Sequence, residues 1–234
     1  MIIDWISPSA SLLAVAVIGM CVGSFLNVVI HRLPKMLEHQ WRRDAASILD
    51  TPVCEHPKLN LALPRSYCPH CGHAISAVDN IPILSYLILR GHCRHCKKQI
   101  SLRYPLVELM TAVLSVAVLL KFGTTLYSLG ALIFVWSLIA LSLIDFDTQL
   151  LPDDITLPLI WGGILFNLAT QSIPLEQSVI GAVSGYLSLW SIYWLFKLTT
   201  GKEGMGYGDF KLLAGIGAFL GWKAILFVVL ISSC

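Results

Sequence analysis

The chain has 234 residues, of which 56% are hydrophobic and 13% charged, with a formal net charge of +2. Soluble domains carry about 25% charged residues, so a single water-soluble domain is excluded. The apolar residues gather in several runs of roughly 18 or more, and about 20 helical residues cross a hydrocarbon layer. The fold class they imply is an all-α polytopic membrane protein.

Its polar residues are unevenly spread. Residues 31–104 hold 11 of the 16 Lys and Arg, all 7 His and 5 of the 7 Cys. Against 5 acids, that block carries +6, and the rest of the chain (5 basic, 9 acidic) carries −4. A basic, polar segment is thus joined to a slightly acidic membrane part, and nothing in this balance calls for a nucleic-acid partner.

In chain order, residues 9–30 form the first predicted span. Its run from Leu12 to Ile30 exceeds a signal-peptide core and lacks a basic flank and a small-residue cleavage site, so it reads as a retained helix. Gly19, Gly23 and Ser24 interrupt it, as small residues do where membrane helices pack closely, and Asn27 needs a polar partner. His31-Arg32-Leu33-Pro34 ends the span. The polar segment that follows holds one short apolar patch, Ile81 to Leu89, too brief to cross. Further spans are predicted at about 105–121, 126–144, 155–170, 178–196 and 211–232, making about six. The 155–170 run is short and contains Pro158. The sequence stops at Cys234 with no polar tail after the last run, which reads as an interruption.

Lys and Arg favour the cytoplasmic side of a membrane. The 31–104 segment is therefore expected to be cytoplasmic and the N-terminus external. Counting onward puts the 145–154 and 197–210 loops on the cytoplasmic side.

Two cysteine pairs, Cys68-Pro69-His70-Cys71 and Cys93-Arg94-His95-Cys96, lie 21 residues apart. Each pair can present two thiolates from one tight turn, and four thiolates make the closed tetrahedral cage of structural zinc. A cytosolic location keeps thiols reduced and favours metal over a thiol–disulfide exchanger. His70, His73, His92 and His95 are alternative ligands, but four cysteines suffice, so they read as solvated. Cys21, Cys54 and Cys234 read as buried small side chains or surface thiols.

Acids are rare in the apolar part. Asp145 follows directly on the run from Leu126, and ionisable groups at membrane depth are functional candidates. Asp147 reads as a loop charge, and Asp153 or Asp154, after Pro152, as a helix N-cap. In Gly204-Met205-Gly206-Tyr207-Gly208-Asp209-Phe210-Lys211, three alternate glycines are more than a cap at Asp209 requires; they permit close backbone approach. Both Asp145 and Asp209 fall at cytoplasmic helix ends. Two carboxylates together share one proton, so one can activate water while the other assists the carbonyl and leaving amine. The alternative for such a pair is a proton or cation pathway. A location at helix ends on one side suits a peptide bond better than a mid-bilayer pore.

These stretches together resemble the type 4 prepilin peptidases. The likeness runs over Gly23-Ser24-Phe25-Leu26-Asn27 to His31-Arg32-Leu33-Pro34, Arg65-Ser66-Tyr67-Cys68-Pro69-His70-Cys71, Asn80-Ile81-Pro82 and Leu89-Arg90-Gly91-His92-Cys93 to Cys96. It continues through Arg103-Tyr104-Pro105, Ile144-Asp145, Leu151-Pro152-Asp153 and Gly206-Tyr207-Gly208-Asp209. The resemblance implies a bacterial inner-membrane aspartyl protease of the glycine-glycine-aspartate type, with Asp145 and Asp209 as its catalytic acids. It implies prepilin and pseudopilin substrates cut on the cytoplasmic side, then N-methylated with S-adenosylmethionine, or leader removal alone in a peptidase-only member. The domains expected are a first membrane helix (1–30), a cytoplasmic four-cysteine domain associated with methyl transfer (31–104), and a transmembrane peptidase domain (105–234) that continues beyond this sequence. Zinc is expected on Cys68, Cys71, Cys93 and Cys96. Glu108 is a candidate for holding the substrate amine, and Arg90 and Arg103 for the donor carboxylate. No motif identifies a methyl-donor fold or an oligomeric state.

Overall fold

A computed structural model of the chain describes residues 8–51 and 59–232. Among them are eight α-helices: α1 (Pro8–Ile48), α2 (Leu84–Ile88), α3 (Arg103–Phe122), α4 (Leu126–Thr148), α5 (Asp153–Thr170), α6 (Leu175–Thr200), α7 (Tyr207–Leu220) and α8 (Trp222–Ser232). Four of these, α1, α3, α4 and α6, are long and apolar enough to cross a membrane. The chain clusters into two units, residues 1–124 with 138–144, and residues 125–137 with 145–234.

In the first unit α1 packs on α3. The predicted close packing is observed at Gly19 and Gly23: a Cβ at Gly19 would lie 2.8 Å from the Ala112 Cα, and one at Gly23 2.7 Å from the Glu108 Cα. Only a side chain of one hydrogen lets the backbones approach so closely. On the facing side of α3, Thr111 and Ser115 return their hydroxyls to the Val107 and Thr111 carbonyls, at 2.7 and 2.6 Å. Their polar atoms are thereby satisfied inside an apolar contact. Asn27 finds its partner in the Tyr104 carbonyl, 3.1 Å away.

The first helix does not end at Pro34. It runs on to Ile48 with Pro34 inside it, roughly 60 Å in all and about twice the hydrocarbon thickness. Beyond the proline the helix is supported by the Glu38–Arg42 pair one turn apart. Arg32 is buried and donates to the Asn60 carbonyl at 3.0 Å, so the returning chain fastens to this helix just before the proline.

The second unit is a packed set around α7. Gly181 of α6 and Gly217 of α7 meet backbone to backbone. Ala218 is held from two sides, its carbonyl accepting from Asn167 of α5 at 2.8 Å and from Ser178 of α6 at 2.6 Å. Phe219 stacks with Phe134 and Phe166. α4 starts from a capping box in which Thr125 and Ser128 satisfy each other's amides, the arrangement that fixes orphan N–H groups at a helix start.

Two expectations are corrected here. The 211–232 run is not one span but α7 and α8, broken at Gly221, whose φ of 80° lies where glycine is at ease. At roughly 21 Å and 17 Å neither half crosses a 30 Å layer by itself. The cap of α5 is Pro152, with Asp153 and Asp154 inside the first turn. The extended ψ of Pro152 starts the helix without a side-chain cap, and acids in a first turn complement the helix dipole.

Candidate active site and four-cysteine cluster

The two cysteine pairs fold as copies of one turn, offset by 25 residues. Cys68 N–H bonds to the His73 carbonyl and Gly72 N–H to the Cys68 carbonyl; Cys93 to Lys98 and Lys97 to Cys93 repeat the pattern. Antiparallel bridges Tyr67–Ala74 and His92–Gln99 close each copy, and Ile75 to Ser66 and Ile100 to Gly91 complete it. Gly72 and Lys97 take the same positive φ, 67° and 56°. The copies bring the four Sγ atoms within 4.8 Å of one another. Cys68 and Cys96 are 3.9 Å apart, and the edge of a zinc–thiolate tetrahedron with bonds of about 2.3 Å is about 3.8 Å. The donor set and its size fit zinc.

The electrostatics agree. Backbone groups of His70 and Cys71 bring the Cys68 thiol down to about 7. Cys71, despite the lowering effect of the His73 backbone, is pushed up to about 11 by desolvation and by the other three thiols. Four thiolates cannot coexist at this spacing without a cation among them. His73 and His95 stack on each other with ring centroids 3.4 Å apart, and His92 bonds to the Arg90 carbonyl, so the histidines lie outside the four-sulfur set. Arg94 grips Asp79 through Nε and Nη2, at 2.6 to 3.0 Å, and ties the second knuckle to the 3-10 turn Val78–Asn80. The described cysteines are free thiols and Cys21 is exposed; Cys54 and Cys234 lie outside the described residues.

Asp145 and Asp209 both belong to the second unit. Asp145 is exposed in the last turn of α4, which closes on Gln149 in the left-handed conformation, Gln149 N–H bonding to the Asp145 carbonyl. Asp209 stands in the first turn of α7, half-buried, with Gly206 as the cap residue. Burial first, and the Asp145 charge second, hold the Asp209 carboxyl above the usual carboxylate range, while the Gly206 backbone pulls it the other way. An acid pushed up by desolvation and a neighbouring carboxylate keeps its proton where its partner ionises. Asp147 is exposed on the same turn of α4.

The close approach expected of the glycines occurs at Gly208. A Cβ there would lie 2.6 Å from the Leu151 Cβ, so the α4–α5 connection rests against α7 beside Asp209. Lys211, two residues beyond that acid, meets Asp153 at 2.6 and 2.7 Å. Reading Asp153 as a cap misses this pair, since 58 residues separate the partners and no local pattern links them.

The three methyl-transfer candidates have different surroundings. Glu108 is buried and accepts the Ile83 N–H at 2.7 Å. Arg103 donates to the Leu143 carbonyl at 3.4 Å. Arg90 is exposed, on a positive-φ turn next to the second knuckle.

The long apolar helices and the four-cysteine cluster define a multi-pass membrane protein with a metal-type knuckle domain, in which Asp209 lies within the electrostatic reach of Asp145. Residues 17–122 match the profile of the bacterial peptidase A24 N-terminal domain, and residues 132–234 that of the type IV leader peptidase family. The chain is 58% identical over 217 residues to a prepilin leader peptidase/N-methyltransferase of Aeromonas hydrophila, covering 92% of this chain and 75% of that protein. It is 55% identical over 226 residues to the Pseudomonas putida protein of that name (97% and 78%) and 49% over 230 to one from Burkholderia pseudomallei (97% and 74%). The chain belongs to the type IV prepilin leader peptidase/N-methyltransferase family. No solved structure matches it.

Proposed function

We propose that this protein removes the leader of type IV prepilins and pseudopilins with Asp145 and Asp209 as an acid–base dyad, then N-methylates the new terminus. The observation that carries the reading is Asp209 at the first turn of α7, half-buried and within the electrostatic reach of Asp145. With one proton on the pair, the ionised carboxylate takes a proton from water as its oxygen adds to the scissile carbonyl. The protonated one donates to that carbonyl's oxygen. As the tetrahedral species collapses, one of its hydroxyls returns a proton to the second carboxylate, the C–N bond breaks and the amine leaves with the proton drawn from water, which restores one proton on the pair. No side chain forms a bond to the substrate. S-adenosylmethionine supplies the methyl group for the second reaction, with Arg90, Arg103 and Glu108 as the candidates for that step.

The basic segment supports an orientation with the N-terminus outside and residues 31–104 in the cytoplasm of a bacterium, both acids facing that side of the inner membrane. The partition into a first helix (1–30), a zinc-clipped domain (31–104) and a peptidase domain (from 105) is part of the same proposal. Cys68, Cys71, Cys93 and Cys96 would hold zinc with four thiolates, the closed ligand set of a structural clip rather than of a catalytic metal.

The test is mass analysis of a pilin made in cells whose own prepilin peptidase is deleted and which express this chain. A pilin without leader and heavier by one methyl group is expected. Retained leader overturns the dyad reading, and a missing leader with a bare amine reduces the activity to peptidase alone.

A further inference from the structure

The connection between α4 and α5 does more than join two helices. Leu151 rests on Gly208, so closely that a Cβ there would clash at 2.6 Å, and Asp153 holds Lys211 with both carboxylate oxygens, at 2.6 and 2.7 Å. Gly208 and Lys211 flank Asp209 on either side. The segment 151–153 therefore grips the first turn of α7 at two points around the half-buried acid. Asp145 lies just before that connection, in the last turn of α4. One short piece of chain thus carries one acid at its start and clamps the other at its end.

We propose that Leu151 and the Asp153–Lys211 ion pair form a positioning clamp for Asp209, and that Asp153 also keeps the Lys211 ammonium from neutralising the acid pair. The proposal rests on the reading of Asp145 and Asp209 as the dyad. Lysine is a flexible point charge on a four-carbon stem, and here it lies two residues from an acid that must hold a proton. Asp153 cancels that charge at contact. The other charged or titratable groups toward this end of the unit are Asp147 on α4, Asp154 on α5, Tyr186, Tyr193 and Lys197 on α6, and Tyr207 at the start of α7, with Lys202 and Glu203 in the loop that leads into it. Lys197 is engaged by Glu203 at 2.9 Å, so that cation is matched as well.

A purely mechanical tie and a charge-cancelling clamp predict different pH profiles of leader cleavage, measured on purified full chain in detergent with a prepilin peptide. Asp153→Asn frees the Lys211 cation, favours the ionised form of Asp209, and should move the alkaline limb down by roughly one pH unit. Lys211→Met leaves the Asp153 anion alone and should move it up. The double variant Asp153→Asn/Lys211→Met, with neither charge, should return the limb to its wild-type position at a reduced rate. Lys211→Arg should keep the wild-type profile. Unchanged limbs in both single variants, or a double variant shifted as far as Asp153→Asn, overturn the charge-cancelling role. If Asp153→Asn does not fold, the opposite shift of Lys211→Met and the profile of the reversed pair Asp153→Lys/Lys211→Asp decide the matter in its place. Asp209→Asn is run alongside: cleavage retained there sinks the dyad itself, whereas cleavage lost there with unmoved limbs elsewhere sinks only the clamp.

Discussion

The cysteine knuckles and the two aspartates Asp145 and Asp209 are both sets of ionisable groups that feel one another's charge, and the molecule treats them in opposite ways. Around the sulfurs, two copies of a ten-residue turn aim four thiols at one point. The geometry suits a cation that cancels the charge outright. Around the acids, no local turn makes the meeting. Asp145 lies in the last turn of one helix and Asp209 in the first turn of another, and burial leaves Asp209 reluctant to ionise. A metal cage has a single best state, whereas a carboxylate pair that shares a proton has two interchangeable ones. The first property suits a clip and the second suits catalysis.

The comparison breaks most sharply at the acids. Asp145→Asn or Asp209→Asn should each lower leader cleavage at least about a hundredfold, with metal content unchanged, read by mass analysis of the cleaved peptide. Next come the sulfurs. Cys68→Ser or a strong chelator should empty the metal site and make residues 59–102 sensitive to protease, measured by metal analysis and limited digestion. Leader cleavage should persist in that variant, because the acids lie in the other unit; its loss would join the two regions functionally.

A smaller effect is expected at Gly208. Gly208→Ala places a methyl 2.6 Å from the Leu151 Cβ, and overpacking of this kind costs about 1–3 kcal/mol. Cleavage should fall, and Leu151→Ala in the same chain should recover part of it. The smallest effect is on stability. The Asp209 carboxyl is raised in the fold, so its contribution is present at low pH and lost as pH rises through its folded value. Asp209→Asn, though inactive, should therefore melt higher than wild type at pH 8, by about 1–3 °C, with the difference vanishing toward pH 4. A variant that melts lower at pH 8 would mean that Asp209 is not strained by burial and by Asp145.

Much of this was legible in the order of residues. Gly19 and Gly23 announce a close helix contact, though not its partner α3, because small side chains in an apolar run commonly mark where membrane helices pack. The cysteine cage is readable because each half is built within ten residues. The 25-residue repeat behind it was also there to be seen in the matching Ile75 and Ile100, each closing its turn. Pro34 misleads: proline removes one helix bond, yet α1 survives it because the residues beyond are helix formers and Arg32 is anchored. Gly221 misleads in the other direction, since nothing in an apolar run shows that a glycine will take positive φ rather than pack.

The sequence by itself determined the membrane class, the basic four-cysteine segment and the family, because each depends on composition or on spacing within a few residues. Only the tertiary structure decided that the last apolar run is two short helices, that Asp153 serves Lys211 rather than capping α5, and that Leu151 lies on Gly208. Those outcomes depend on which distant backbones approach one another. That is settled by the packing of whole helices, a quantity no local pattern contains.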